Sequence, residues 1–231
     1  MPFNRIPAAQ ISPIAQRFLE LWPTSSAPGR IPGTNELSFT PDTKPGTARF
    51  LVAAQEIARD LDPTLPISVD IKGRPGFAEQ FTYHRFDMLG INQYFGWYRW
   101  VEDFTLLEPY FREMHDLYPE HALVMTEWGA EARPELAQAP TDLKGGYPYQ
   151  AFLAQHTLDA IDHLSWFLSG SIYWTLREFE IYPGWTGGAG RRPPELEPNT
   201  RHHKGLIGYS GERKPAFWIM RDRYLSTPLY P

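Results

Sequence analysis

From residue 47 onward, apolar positions fall alternately at helical spacing and in short unbroken runs. In TARFLVAAQEIARDLD (47–62), Phe50, Leu51, Ala54, Ile57, Ala58 and Leu61 share one side of a helix, with Arg and Glu opposite, until Pro63 stops it. LPISVDI (65–71) is a short β-branched run closed by Gly73 and Pro75, and FDMLGINQYF (86–95) reads as a second strand. DFTLLEPYFREMHDLY (103–118) returns to helical spacing, with Pro109 close enough to its start to be tolerated. HALVMTE (121–127) reads as strand, YQAFLAQHTLDAIDHLSWFLS (149–169) as a long amphipathic helix and GSIYWTL (170–176) as strand. A Gly/Pro-rich loop over about 181–201 leads to a closing helix in KPAFWIMRDRYLS (214–226). Strand and helix alternate with connections long enough to cross over, the pattern of a parallel α/β sheet.

Residues 1–33 break this pattern. Prolines at 2, 7, 13, 23, 28 and 32 interrupt anything regular, and only ISPIAQRFLELW offers a short amphipathic helix. The chain therefore divides into an irregular Pro-rich segment, 1–33, and an α/β region, 34–231.

Composition narrows the chemistry. With 231 residues, 42% of them hydrophobic, the chain can bury one sizeable core. A net charge of -5, with lysines and arginines scattered, gives no case for nucleic acid or an anionic membrane surface as partner. No cysteine is present, which excludes disulfides, zinc–thiolate sites and thiol nucleophiles. The amino terminus lacks the apolar core of a signal peptide and no apolar run of about 18 residues occurs, so a soluble cytoplasmic protein is expected. Aromatic residues reach 15%, as suits a flat sugar-binding cleft as well as a large core.

Parallel α/β sheets present their sites at the carboxyl ends of their strands. Glu127 ends one strand, Asn92 and Tyr94 another and Trp174 a third, while Asn35 and Glu36 in TNEL precede the first good helix. Glu36 and Glu127 are three βα units apart at about thirty residues each, so they face one another across a barrel mouth. Two carboxylates across a sugar-sized cleft are the equipment of glycoside hydrolysis, one protonating the leaving oxygen and the other attacking or assisting at the anomeric carbon.

Four blocks, INQYFGWYRW, TEWGAE, YWTLREF and HHKGLIGYSGERKPAFWIMRDRY, resemble the carboxyl-terminal half of the catalytic barrel of glycoside hydrolase family 2. This is the β-glucuronidase and β-galactosidase group, and the blocks look most like β-glucuronidases. The resemblance spans about residues 34–225 and implies a (β/α)8 TIM-type barrel represented by strands four to eight, its first three strands and the family's amino-terminal β-sandwich domains missing. It also implies roles. Glu127 would be the nucleophile and Glu36 the acid/base; Asn35 would bind the sugar 2-hydroxyl. Asn92 would lie at the site, Tyr94 would donate a hydrogen bond that keeps the nucleophile ionised, and Trp174 would floor the sugar site. Lys204 would hold a sugar carboxylate, although His202 stands where glucuronidases carry the Asn of Asn-x-Lys-Gly. No cofactor or metal is implied, and retention of configuration requires the two carboxyl groups about 5–5.5 Å apart.

Blander readings stand beside these. A Glu at a strand end is commonly a solvated residue, Asn35-Glu36 could cap a helix, and Tyr94 and Trp174 could be core aromatics. His202 and His203 point to opposite sides of an extended chain without supporting carboxylates, and GGAG (187–190) lacks the Lys-Ser/Thr of a phosphate loop. Three readings follow: a retaining β-glycosidase acting on a small carbohydrate, an inactive or merely sugar-binding half-barrel remnant, or another retaining hydrolase of the same barrel clan. Exposed sheet edges would also invite homo-oligomers or pairing with another chain.

Overall fold

The computed structural model describes residues 44–72, 80–98, 103–182 and 200–227. Asn35 and Glu36 lie outside them, as does the proposed boundary between 33 and 34.

The described residues form two compact units. The first runs to Val69 and includes the described residues from 80 to Met88. Its helix α1 (Lys44–Leu61) is longer at its start than the periodicity suggests. Asp87 closes the turn beyond α1: its Oδ2 accepts from Arg59 at 2.6 Å and from the Ile67 amide at 2.7 Å. The short helix α2 (Gln80–Tyr83), one turn long, has too little sequence to carry a periodic signal.

The second unit holds Asp70–Lys72 and the described residues from Leu89 onward. Strands β1 (Ser68–Lys72), β2 (Met88–Asn92), β3 (Ala122–Trp128) and β4 (Leu168–Tyr173) form a parallel sheet in that order, with β1 and β4 at its edges. A short 3-10 turn, Phe104–Leu106, leads into α3 (Leu107–Leu117), while α4 (Tyr147–His163) and α5 (Pro215–Ser226) follow later strands. Among the described residues the expected helices and strands occur in the expected order. Strand 86–95 contracts to β2, because the chain turns at Phe95–Trp97 with Gly96 at φ 80°. Helix 149–169 begins two residues earlier, with Pro148 in its first turn, and stops at His163; the following turns hand Leu168 to β4. At the two ends of the expected loop 181–201, a two-residue ladder, β5 (Phe179–Glu180) with β6 (Arg201–His202), pairs antiparallel.

Packing explains the alternation. Leu107, Tyr110, Phe111 and Met114 recur on one face of α3 and are buried, each such side chain stabilising the fold by about 1.5–3 kcal/mol. They join Leu89 and Ile91 of β2 and Leu123 and Met125 of β3, all fully buried, in the core of the unit. α4 buries Leu153, Ala154 and Leu158, and α5 lies alongside it, tied at the surface by Arg223 to Asp159 and Asp162. Among the described residues no helix is long and apolar enough to cross a membrane.

Candidate active site

Glu127 is the penultimate residue of β3. Strict strand alternation would put it on the face of Leu123 and Met125, both wholly buried. The pairing of β3 with β4 shifts register between Met125 and Trp128, which interrupts that alternation at Glu127. The carboxylate is half-buried, and its Oε2 accepts a hydrogen bond from the Tyr94 hydroxyl at 2.7 Å. Backbone bonds lace the same sheet end together: the Gln93 amide donates to Glu127 O at 2.9 Å and the Trp174 amide to Trp128 O at 2.8 Å.

Tyr94 remains a phenol. Burial, then the neighbouring charge of Glu127, then the hydrogen bond between them push its hydroxyl far above the usual tyrosine range. It can only donate to the carboxylate. Behind it, the Lys204 ammonium sits 3.7 Å from the Tyr94 ring centroid and 4.6 Å from that of Tyr98, and donates to the Tyr98 hydroxyl at 2.8 Å. Lys204 is only 2% exposed. Tyr98 lies in the same INQYFGWYRW block but carries no spacing that marks it.

Deeper in the sheet, the Thr126 hydroxyl donates to Asn92 Oδ1 at 2.7 Å. Gly90 sits beside this pair because a Cβ there would strike Thr126 and occupy the place of an Asp70 carboxyl oxygen. Burial raises the Asp70 pKa, with Thr126 opposing. Trp174, the first residue after β4, is 39% exposed, its ring edge-on to Phe179 at 6.4 Å. A cis peptide joins it to Thr175. Gly129 has φ 139°, and a Cβ there would lie 2.8 Å from Trp174 O, so only glycine fits where the β3 exit passes the β4 exit.

His202 is buried and stacks on Phe179 at 4.6 Å with the rings 10° apart. His203 points elsewhere: its Nδ1 lies 3.0 Å from Glu178 Oε1. That carboxylate also accepts from Lys214 at 2.5 Å on Oε1 and from the Tyr209 amide at 3.0 Å on Oε2. Burial pushes the Glu178 pKa up, but the His203 hydrogen bond and the Lys214 charge outweigh it and leave the carboxyl below its ordinary value. Burial pulls Lys214 below the usual lysine value against the pull of Glu178. Sequence reasoning missed this buried cluster, since Glu178, His203 and Lys214 meet only through tertiary structure. Among the described residues no group of three or more His, Asp or Glu side chains is arranged to hold a metal ion.

The structure thus brings Tyr94 into contact with both Glu127 and Lys204, and sets Asn92 and Trp174 at the carboxyl ends of β2 and β4 in the same sheet. No protein-family model and no curated protein sequence matches the chain. Solved structures do. A β-D-glucuronidase of Dictyoglomus thermophilum matches at TM-score 0.62 and 22% identity, over 79% of this chain and 30% of that one. A GH2 β-galacturonidase of Eisenbergiella tayi bound to galacturonate matches at 0.65 and 20%, over 80% and 31%. A β-glucuronidase of Faecalibacterium prausnitzii matches at 0.63 and 19%, over 81% and 30%. The fold is therefore that of part of the TIM-type barrel found in GH2 glycosidases, and the chain spans under a third of the length of the structures it matches.

Proposed function

We propose that this chain carries the nucleophile side of a retaining β-glycosidase site directed at β-glucuronides or related acidic β-glycosides. The observation that carries the reading is the Tyr94 hydroxyl held 2.7 Å from the Glu127 carboxylate at a strand end. A phenol that can only donate orients the carboxylate for attack on an anomeric carbon. In the proposed double displacement, Glu127 forms the bond to the anomeric carbon as the glycosidic bond breaks, and Glu36 gives its proton to the leaving oxygen. Water then attacks the glycosyl ester, with Glu36 as base, and releases the sugar with its configuration retained. Asn35 would hydrogen-bond the sugar 2-hydroxyl, a contact that strengthens in the transition state. Asn92 would hold the nucleophile's surroundings through Thr126, and Trp174 would floor the sugar. The Lys204 charge beside Tyr94, together with the glucuronidases and galacturonidases among the matched structures, favours a substrate with a carboxylate.

A second reading, a sugar-binding or inactive half-barrel, is favoured by two observations. The described sheet has four strands with edges at β1 and β4, and the chain covers about 30% of the glycosidases it resembles. Such edges would pair with another chain. Incubation with a cyclophellitol-6-carboxylate aziridine, the reagent found covalently bound to a Bacteroides uniformis β-glucuronidase, separates the two. A mass increase mapped to Glu127 and lost in Glu127→Gln, together with turnover of a chromogenic β-glucuronide, supports the enzyme. Folded protein that neither takes up the reagent nor hydrolyses any β-glycoside refutes it in favour of the remnant.

A further inference from the structure

Lys214 is the N-cap residue of α5 and is wholly buried. An ammonium has three protons to give. Here they go to Glu178 Oε1 at 2.5 Å, Ala132 O at 2.7 Å and His203 O at 3.0 Å. Those acceptors belong to three different stretches: the chain leaving β4, the chain leaving β3, and the segment that carries Lys204. The Ala132 backbone amide also donates to His203 O at 2.9 Å, and the Gln150 side-chain amide donates to Ala130 O and Lys204 O. Gly205 allows the approach, since a Cβ there would fall on the Glu178 amide nitrogen. The segment 203–205 is thus held at a charged knot one residue away from the lysine that touches Tyr94.

We propose that Lys214 is a positioning residue: by donating at once to the carbonyls of Ala132 and His203 and to the Glu178 carboxylate, it fixes the segment that delivers Lys204 to the Tyr94–Glu127 pair. Glu178 and His203 are the other members of the knot, and Tyr209 closes it through its amide. The inference rests on the glycosidase reading for its meaning, because that reading puts Tyr94 and Lys204 beside the nucleophile. Its test needs no turnover, so a chain that hydrolyses nothing overturns the activity and not the Lys214 assignment.

The test is the rate at which an amine-acetylating reagent modifies Lys204 in the folded protein, read by peptide mass spectrometry. Lys144, whose ammonium donates to Trp97 O at 3.0 Å, serves as the internal reference. In Lys214→Met, Lys204 is expected to react at least about tenfold faster, the change that follows from losing one charge-assisted hydrogen bond's worth of restraint. Lys144 keeps its rate. The double variant Lys214→Met with Glu178→Gln removes the knot without leaving a buried carboxylate unpaired, and decides the matter if the single variant does not fold. A lysine that only stabilises the domain would lower the urea midpoint and leave native-state labelling of Lys204 unchanged; that result overturns the proposal. So does equal acceleration at Lys144, or a double variant that no longer unfolds cooperatively, since either makes Lys214 a support of the whole domain.

Discussion

Glu178→Gln tests how the buried knot is held together. The carboxylate accepts three N–H groups: Lys214 and His203 on Oε1, and the Tyr209 amide on Oε2. An amide of the same shape has one acceptor oxygen. If that oxygen faces Lys214 and His203, its NH2 group confronts the Tyr209 N–H; turned over, it confronts the other two donors. Either way an ammonium with no exposed surface loses its counter-charge. Breaking a buried ion pair by removing one partner costs about 3–5 kcal/mol, a large share of the 5–15 kcal/mol of a typical domain. Urea unfolding near neutral pH should show a loss of that size. The pH dependence has a definite sign. The folded-state pKa of Glu178 lies below its ordinary 4.5, so its contribution is fully present above that value and disappears as pH falls through the folded one. The gap between wild type and variant should therefore narrow in acid. A loss under about 1 kcal/mol, the worth of one ordinary hydrogen bond, or a gap that widens in acid would refute this account of the cluster.

Tyr94→Phe deletes the donor to Glu127 while keeping the ring under Lys204; kcat/KM on a chromogenic β-glucuronide should fall about tenfold or more, and unchanged kinetics would remove Tyr94 from the mechanism. Gly205→Ala forces a methyl onto the Glu178 amide nitrogen and should cost about 1–3 kcal/mol in urea unfolding, whereas a neutral result would mean that the two backbones separate freely. Trp174→Ala removes a partly exposed ring and should raise KM while the urea midpoint moves little; a stability loss as large as that of a core truncation, about 3–5 kcal/mol, would make it a packing residue instead. Leu123→Ala, in the buried centre of β3, should cost about 2–5 kcal/mol, read from the same unfolding curves.

Much of this protein is written locally in its chain. Apolar spacing sets α3, α4 and the strands between them, because each must bury one face or run of side chains, and Pro148 and Pro215 mark helix starts where a missing N–H costs nothing. The sequence also identifies Glu127 as an acid closing a buried strand, and its neighbours Asn92, Tyr94 and Trp174 as residues at strand ends. It does not say where the acid points. Alternation alone would bury Glu127 with Leu123 and Met125, and a register shift against β4, set by pairing with a distant strand, interrupts that alternation where the carboxylate meets Tyr94. The Glu178–His203–Lys214 knot and the stacking of Lys204 on Tyr94 and Tyr98 are likewise invisible in the chain. Their members are separated by long stretches of sequence, and a buried charge is tolerable only once the fold has brought its partners to it.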